Sequence, residues 1–301
     1  MSSCLLLALK RHTFCGGIEQ KVWRFACASL RMVWRDTLPT TLYTAFVVYK
    51  YSNQGLFMRA TSKRIQQSGD ILYGAHPIIE CLKAGKRKVL AIYMTKPEPK
   101  GWERVKPYLQ KQAPPIQYVS RDVLTRMAGC ADHMGILAFV TPFVYATKPI
   151  TAQEKQRILL LDGVQDVHNL GAIVRSAYCT NFDAVLVTKQ CARMVAGVFK
   201  ASAGLAEHLP IYLISSVAHT VGELKSMGYT VYMTVADGGV DATTVSYTAP
   251  LCVVIGSEER GIDMKIRSLG TKVTLSQRDT SSYNASVAAG IFLFLTSFSK
   301  K

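Results

Sequence analysis

Three short stretches of this 301-residue chain concentrate side chains able to hold and orient a ligand. In the first, Asp162, Gln165, Asp166 and Asn169 share one polar turn, and Arg175 follows it. The second, Gly256-Ser257-Glu258-Glu259-Arg260-Gly261, sets acidic side chains between two glycines. Glycines let a backbone come close to a ligand, and Glu258 can accept from hydroxyls or amines. It is not a phosphate-binding P-loop, because no Lys-Ser or Lys-Thr follows the second glycine. The third, Ser281-Ser282-Tyr283-Asn284-Ala285-Ser286, carries more hydroxyl and amide groups than capping a helix requires. Positioning and charge control are the chemistry such sets can do. No metal is expected, since the eight cysteines, at 4, 15, 27, 81, 130, 179, 191 and 252, form no C-x-x-C pair and no Cys/His spacing suited to zinc. They read as reduced thiols in a reducing compartment.

Each stretch is tied to an element that must position it. Ile158 to Leu161 is a short apolar run ended by Asp162-Gly163, the pattern of a buried strand running into a turn. Asn169 can then cap a helix whose Leu170, Ile173, Val174 and Ala177 form one apolar stripe. Arg175 lies off that stripe and reaches toward the turn or solvent. In open α/β sheets, ligands gather just beyond the carboxyl ends of strands, where this turn falls. A plain βα unit with a capped helix and a solvated arginine has the same local pattern. Leu251 to Ile255 leads into the second stretch in the same way. The third opens a helix, Val287 to Phe298, that is apolar nearly all round and must be covered on every face, by a second subunit or by burial within one chain.

Further strands are expected at Ala184 to Val187, Ile211 to Leu213, Thr230 to Val235 and Lys272 to Leu275, most of them separated by helical patterns. That alternation predicts an α/β domain with a mainly parallel sheet and helices on both faces. Upstream, residues 70 to 141 read as a smaller α/β unit: a helical pattern around Ile79 to Leu82 ending near Gly85, strands at Val89 to Met94, Ile116 to Val119 and Ile136 to Val140, and helices at Trp102 to Gln110 and Arg121 to Met127. Lys83, Lys86, Arg87 and Lys88 at the first helix end suit either a helix C-terminus or phosphates. Pro142 to Gln156 reads as a linker. The expected organisation is therefore 1-57 leader, 58-141 accessory domain, 142-156 linker and 157-301 catalytic domain.

A formal charge of +16 favours an anionic partner, and nucleic acid over membrane because no basic amphipathic helix stands out. Residues 1 to 57 hold seven Lys/Arg against two acidic residues and show no sustained periodicity. They read as an organelle transit peptide or as an upstream extension with Met58 as the working start. The expected location is the cytoplasm, or a mitochondrion or other organelle if the leader is a transit peptide.

The three turns, in order, resemble the signature motifs of the SpoU (TrmH) group of SPOUT methyltransferases. Asn169-Leu170-Gly171-Ala172-Ile173-Val174-Arg175-Ser176-Ala177 resembles the first, Gly256-Ser257-Glu258 with Gly261 the second, and Ser282-Tyr283-Asn284-Ala285-Ser286-Val287-Ala288-Ala289-Gly290 the third. Tyr73-Gly74-Ala75-His76-Pro77-Ile78-Ile79-Glu80 and Lys86-Arg87 resemble the accessory domain of the ribosomal-RNA, RlmB-like branch. The resemblance covers about residues 70 to 298 and implies a great deal. It implies a SPOUT-type α/β catalytic domain with a C-terminal trefoil knot, an L7Ae-like RNA-binding N-terminal domain, and a homodimer joined through the catalytic domain. It also implies S-adenosyl-L-methionine as cofactor and 2'-O-methylation of a guanosine in 23S-type ribosomal RNA. Transfer-RNA ribose methylation and a non-catalytic assembly factor are the alternatives.

By the same resemblance Arg175, Asn169, Glu258, Ser282 and Asn284 are the catalytic set. Thr234, Ile255, Gly256, Glu258, Leu275, Tyr283 and Asn284 line the cofactor, with adenine met largely by main-chain groups. The chain departs from the family pattern at Val167, at Glu259 and in Thr274-Leu275-Ser276 with Arg278, where Arg278 could add an RNA contact.

Overall fold

The computed structural model describes residues 69–109, 113–278 and 282–298, all within one unit running from Gln66 to Lys301. The leader reading of residues 1 to 57 lies outside the described residues.

The accessory part is built on a four-stranded sheet of order β1-β4-β2-β3, from β1 (Asp70–Tyr73), β2 (Val89–Met94), β3 (Ile116–Tyr118) and β4 (Ile136–Val140). Helix α1 (Ala75–Ala84) ends where Gly85 takes the left-handed conformation, φ 64°, open to a residue without Cβ. The helix expected over Trp102 to Gln110 is shorter: α2 (Trp102–Val105) gives way to a 3-10 turn over Lys106–Tyr108. Pro107 accounts for the break, since its ring and missing N–H cannot continue an α-helix begun upstream. Helix α3 (Arg121–Ala128) is capped by the Ser120 side chain, which accepts from Val123 N.

The larger sheet has seven strands in the order β7-β6-β5-β10-β8-β11-β9, and every pairing is parallel. They are β5 (Arg157–Leu161), β6 (Ala184–Thr188), β7 (Ile211–Ile214), β8 (Thr230–Thr234), β9 (Val240–Asp241), β10 (Leu251–Ile255) and β11 (Thr271–Thr274). Two-residue β9 has no periodicity to announce it and is the one strand of this sheet that the sequence pattern misses. The alternation along β5 divides the core. Leu159 and Leu161 face α4 (Val167–Cys179), α5 (Ala196–Ala201) and α8 (Ala285–Ser297), while Ile158 and Leu160 face α6 (Val217–Ser226) and α7 (Met264–Arg267). Helices thus cover both faces, as the alternating pattern predicts.

The basic group after α1 is mostly committed to holding the accessory part in place. Buried Arg87 donates from Nη1 to Glu207 Oε1 at 2.9 Å, from Nη2 to Asp70 Oδ2 at 2.8 Å and from Nε to Thr141 O at 2.8 Å, and its guanidinium lies over the Phe199 ring. Lys86 Nζ donates to His208 O and Lys83 Nζ to Glu80 Oε1. The phosphate reading therefore fails for Arg87, whose donors are sealed from solvent. Burial pushes the Glu207 carboxyl above its ordinary range even with Arg87 beside it, so the pair recovers only part of the dehydration cost.

Candidate active site

The turn after β5 begins with Asp162 N donating to Ile255 O at 2.8 Å, which brings the ends of β5 and β10 side by side. Gly163, at φ 78°, passes close to Ser257 and donates to Thr188 Oγ1. Asp166 caps α4, its carboxylate accepting from His168 N at 2.7 Å. The expected cap, Asn169, is corrected by this geometry. The helix starts at Val167, so Asn169 stands buried in its first turn with a side chain released for other work. Asn169 Nδ2 donates to Glu258 Oε1 at 3.1 Å, and Gln165 N donates to Glu258 Oε2 at 3.3 Å. One carboxylate thereby joins the first and second turns. Burial lifts the Asp162 carboxyl above its usual range, Thr188 opposes the shift and nearby Asp263 adds to it.

The turn after β10 folds back on itself, Gly261 N donating to Ser257 O at 2.9 Å and Ser257 N to Gly261 O at 3.3 Å. Gly256 is required at its base, because a Cβ there would fall on the backbone of Gly261 and Ile262. In the third turn, Asn284 Oδ1 accepts from Ser286 N, Ser286 Oγ and Val287 N, so Asn284 caps α8, and its amide NH₂ meets no partner among the described residues. Tyr283 donates its hydroxyl to Ser276 O, tying this turn to the segment after β11.

Between these turns lies a cleft of about 620 Å³. It brings together Thr234, Ile255, Gly256, Glu258, Leu275, Ser282, Tyr283 and Asn284. Thr234 spends its hydroxyl on Val254 O, so it offers the cleft only backbone and methyl. Phe292, Ala288 and Ile262 also line it, and motif reading passed over them. The one signal for Phe292 was its place two turns into α8, on the face that carries Ala285, Ala288 and Ala289. A second cleft, of about 610 Å³, contains Asp162, Gln165, Asp166 and Asn169 and shares Ser257 and Glu258 with the first. Arg175 lines neither. It is exposed on α4, near enough to His76 of the accessory part to help depress that imidazole's pKa. Among the described residues no group of three or more His, Cys, Asp or Glu could hold a metal ion, and no helix is long and apolar enough to cross a membrane.

The profile described as the SpoU rRNA Methylase family matches residues 156–294, and one described as RNA 2'-O ribose methyltransferase substrate binding matches 71–146. The YacO protein of Bacillus subtilis (strain 168), assigned by name to the TrmH family of tRNA/rRNA methyltransferases, is 33% identical over 241 residues, covering 76% of this chain and 96% of the relative. The chain belongs to the SpoU/TrmH family of RNA 2'-O-ribose methyltransferases. Solved members share the SpoU fold: a structure titled RNA 2'-O ribose methyltransferase aligns with TM-score 0.67 at 20% identity over 75% of this chain and 86% of the other. The AdoMet-bound rRNA methyltransferase of Sinorhizobium meliloti aligns with TM-score 0.64 at 21% identity over 76% and 86%. In this SpoU enzyme Glu258 joins the first and second motif turns, the third turn closes the cleft that Glu258 lines, and the motif arginine stands apart from that cleft.

Proposed function

We propose that this SpoU enzyme methylates the 2'-hydroxyl of a guanosine ribose in 23S-type, large-subunit ribosomal RNA, using S-adenosyl-L-methionine held in the cleft between the second and third turns. The observation that carries the reading is the bond from Asn169 to Glu258, which gives the first and second motif turns one shared carboxylate lining both clefts. The accessory part, matched by a substrate-binding profile, supports a large structured RNA as substrate. The relative's name covers transfer RNA as well as ribosomal RNA, and transfer RNA is the second reading.

The residues present fit the cofactor. A cleft of about 620 Å³ is in the range that suits a nucleoside-sized ligand. Leu275, Ile262 and Phe292 supply apolar wall for a flat heterocycle, and the peptide edges at Thr234 to Ala236 and Ile255 to Ser257 supply main-chain partners. When bound, the cofactor supplies an electrophilic methyl on a sulfonium that leaves as a neutral thioether. What remains for the chain is to aim a ribose hydroxyl and manage its proton. Glu258 already accepts two hydrogen bonds, yet a carboxylate has about four acceptor sites, so a substrate hydroxyl can still donate to it. Ser282 and the Asn284 amide orient groups at the cleft rim. Arg175 holds the ribose or its phosphate by charge and forked donors; a guanidinium offers donors and no acceptor, so it positions the hydroxyl rather than takes its proton.

Because Arg175 lines neither cleft of its own chain, this reading includes a homodimer joined through α8, whose Val287, Phe294 and Phe298 are exposed. The order β5-β10-β8-β11 supports the threaded C-terminal knot expected of the family. Cytoplasm is the proposed location, or an organelle if the leader is a transit peptide. Tritiated methyl transfer to ribosomal and transfer RNA, with Arg175→Ala as control, tests the whole. Transfer confined to transfer RNA would overturn the ribosomal reading, and no cofactor binding by calorimetry would overturn the enzyme site.

A further inference from the structure

A third cavity, of about 460 Å³, lies away from both motif clefts, where the accessory part meets the catalytic sheet's helices. Its polar lining is basic. His76 stands in the first turn of α1, Lys100 and Arg104 flank the start of α2, and Lys200 projects from α5. No acidic side chain lines it. Arg104 Nη2 lies 3.0 Å from His76 Nε2, a contact that works only with that nitrogen as acceptor, so the imidazole is neutral and leaves the guanidinium charge uncancelled. Dehydration, then Arg104, Lys200 and Arg175, hold the His76 pKa below its ordinary value, with Glu80 opposing. Lys200 is partly offset by Asp132, whose carbonyl it meets at 3.0 Å and whose carboxylate lies 3.4 Å away. Gly74, at φ 83°, keeps the wall low, since a Cβ there would come within 3.0 Å of Lys200 Nζ.

Three unneutralised or half-neutralised cations converging on a neutral imidazole make a site of positive potential, and the chemistry that satisfies it is an anion with several acceptor oxygens. The cations come from both profile-matched regions: Lys100 and Arg104 from the substrate-binding one, Lys200 from the methylase one, with Arg175 close by. We propose that this cavity grips phosphodiesters of the RNA substrate, with Arg104, Lys200 and Lys100 as the contacting cations, and so guides the strand from the accessory part toward Arg175. The proposal rests on the RNA-methyltransferase reading but not on which RNA is modified.

The test uses the full-length enzyme and a structured RNA fragment that the wild type methylates. Affinity is measured across a salt series for wild type, for Arg104→Gln with Lys200→Gln, and for Lys100→Gln, an exposed position that tolerates substitution without threatening the fold. Each lost phosphate contact lowers the slope of log affinity against log salt by about 0.7–0.9, so the double variant loses about 1.4–1.8 and Lys100→Gln about half as much. Thermal unfolding and calorimetric S-adenosylmethionine binding accompany each variant to separate lost contacts from lost structure. Unchanged slopes in folded variants, with the wild type methylating normally, overturn this site while leaving the enzyme reading intact. A wild type that binds no cofactor and methylates no RNA overturns the reading instead.

Discussion

Asn169 and Glu258, 89 positions apart in sequence, are joined by a 3.1 Å hydrogen bond that makes two separate strand-end turns into one site. Neither residue needs the other to build its own element: Asp166 caps the helix, and the Ser257 and Gly261 backbones close the turn. The bond is therefore free to serve ligand geometry. Glu258→Ala is expected to lower turnover by one to two orders of magnitude while leaving the fold nearly intact. A lost pair of part-exposed bonds is worth about 1 kcal/mol, or a fall of roughly 2–4 °C in Tm for a chain of this size. Single-turnover methyl transfer beside thermal unfolding checks it; a fall well beyond that range would recast Glu258 as structural.

Arg175 should separate substrate handling from cofactor binding. Since it lines neither motif cleft, Arg175→Ala is expected to abolish most methyl transfer while calorimetric affinity for S-adenosylmethionine stays within twofold of wild type. Arg175→Lys keeps the charge but loses the fork, and intermediate activity is the expected result.

Arg87 makes a stability prediction. Arg87→Ala would strand its buried partner Glu207, while Asp70 keeps solvent and the Phe143 N–H; breaking a buried pair costs about 3–5 kcal/mol. Arg87→Met combined with Glu207→Gln should recover part of that loss, because the deeply buried member of the pair no longer carries a charge alone. Denaturant titration of the single and double variants decides it.

His76 provides a titration reporter. In the free enzyme its pKa lies below the ordinary 6.5, through dehydration and the facing charges of Arg104, Lys200 and Arg175. An anion bound among those cations favours the imidazolium, so inorganic phosphate or RNA should raise the value seen by NMR. A value that does not move with saturating RNA argues against phosphates in that cavity.

The exposed side of α8 predicts assembly. Phe294 is 57% exposed and Phe298 70%, and the two rings pack edge to face at 5.0 Å. Ile291 is half-buried against the core, so a charge there would threaten the fold, and Phe294→Glu is the cleaner variant. It should shift the protein from dimer to monomer by light scattering without a large loss of helicity, and an unchanged dimer removes α8 from the interface.

Much of this was legible from residue patterns because local rules decided it. Parallel strands buried on both faces appear as unbroken apolar runs, so β5, β6, β8 and β10 stand out. Gly256 and Gly261 mark a turn that only small residues can close. What was not legible depends on contacts distant in sequence. No local signal tells Asp166 from Asn169 as the cap, since both are good caps, and the choice rests on Glu258 drawing Asn169 inward. The basic run at the end of α1 suits a helix C-terminus or phosphates equally by pattern, and only Glu207 and Asp70 around Arg87 decide against phosphates there. The basic cavity was equally hidden, for Arg104 and Lys200 share no pattern in the chain.

The position of β10 has a consequence for synthesis. Its neighbours on either side, β5 and β8, are both made earlier, and Leu251 to Ile255 inserts between them. A chain elongated only to Pro250 has the β7-β6-β5 sheet with a bare β5 edge and lacks both sheet neighbours of β8, and a bare edge is a template for pairing with another chain. Long-range parallel pairing is slow. The strand that covers the β5 edge is also the one that delivers Gly256 and Glu258, so closing that edge and building the first wall of the cleft are one step, and the cleft is finished only when β11 and α8 follow.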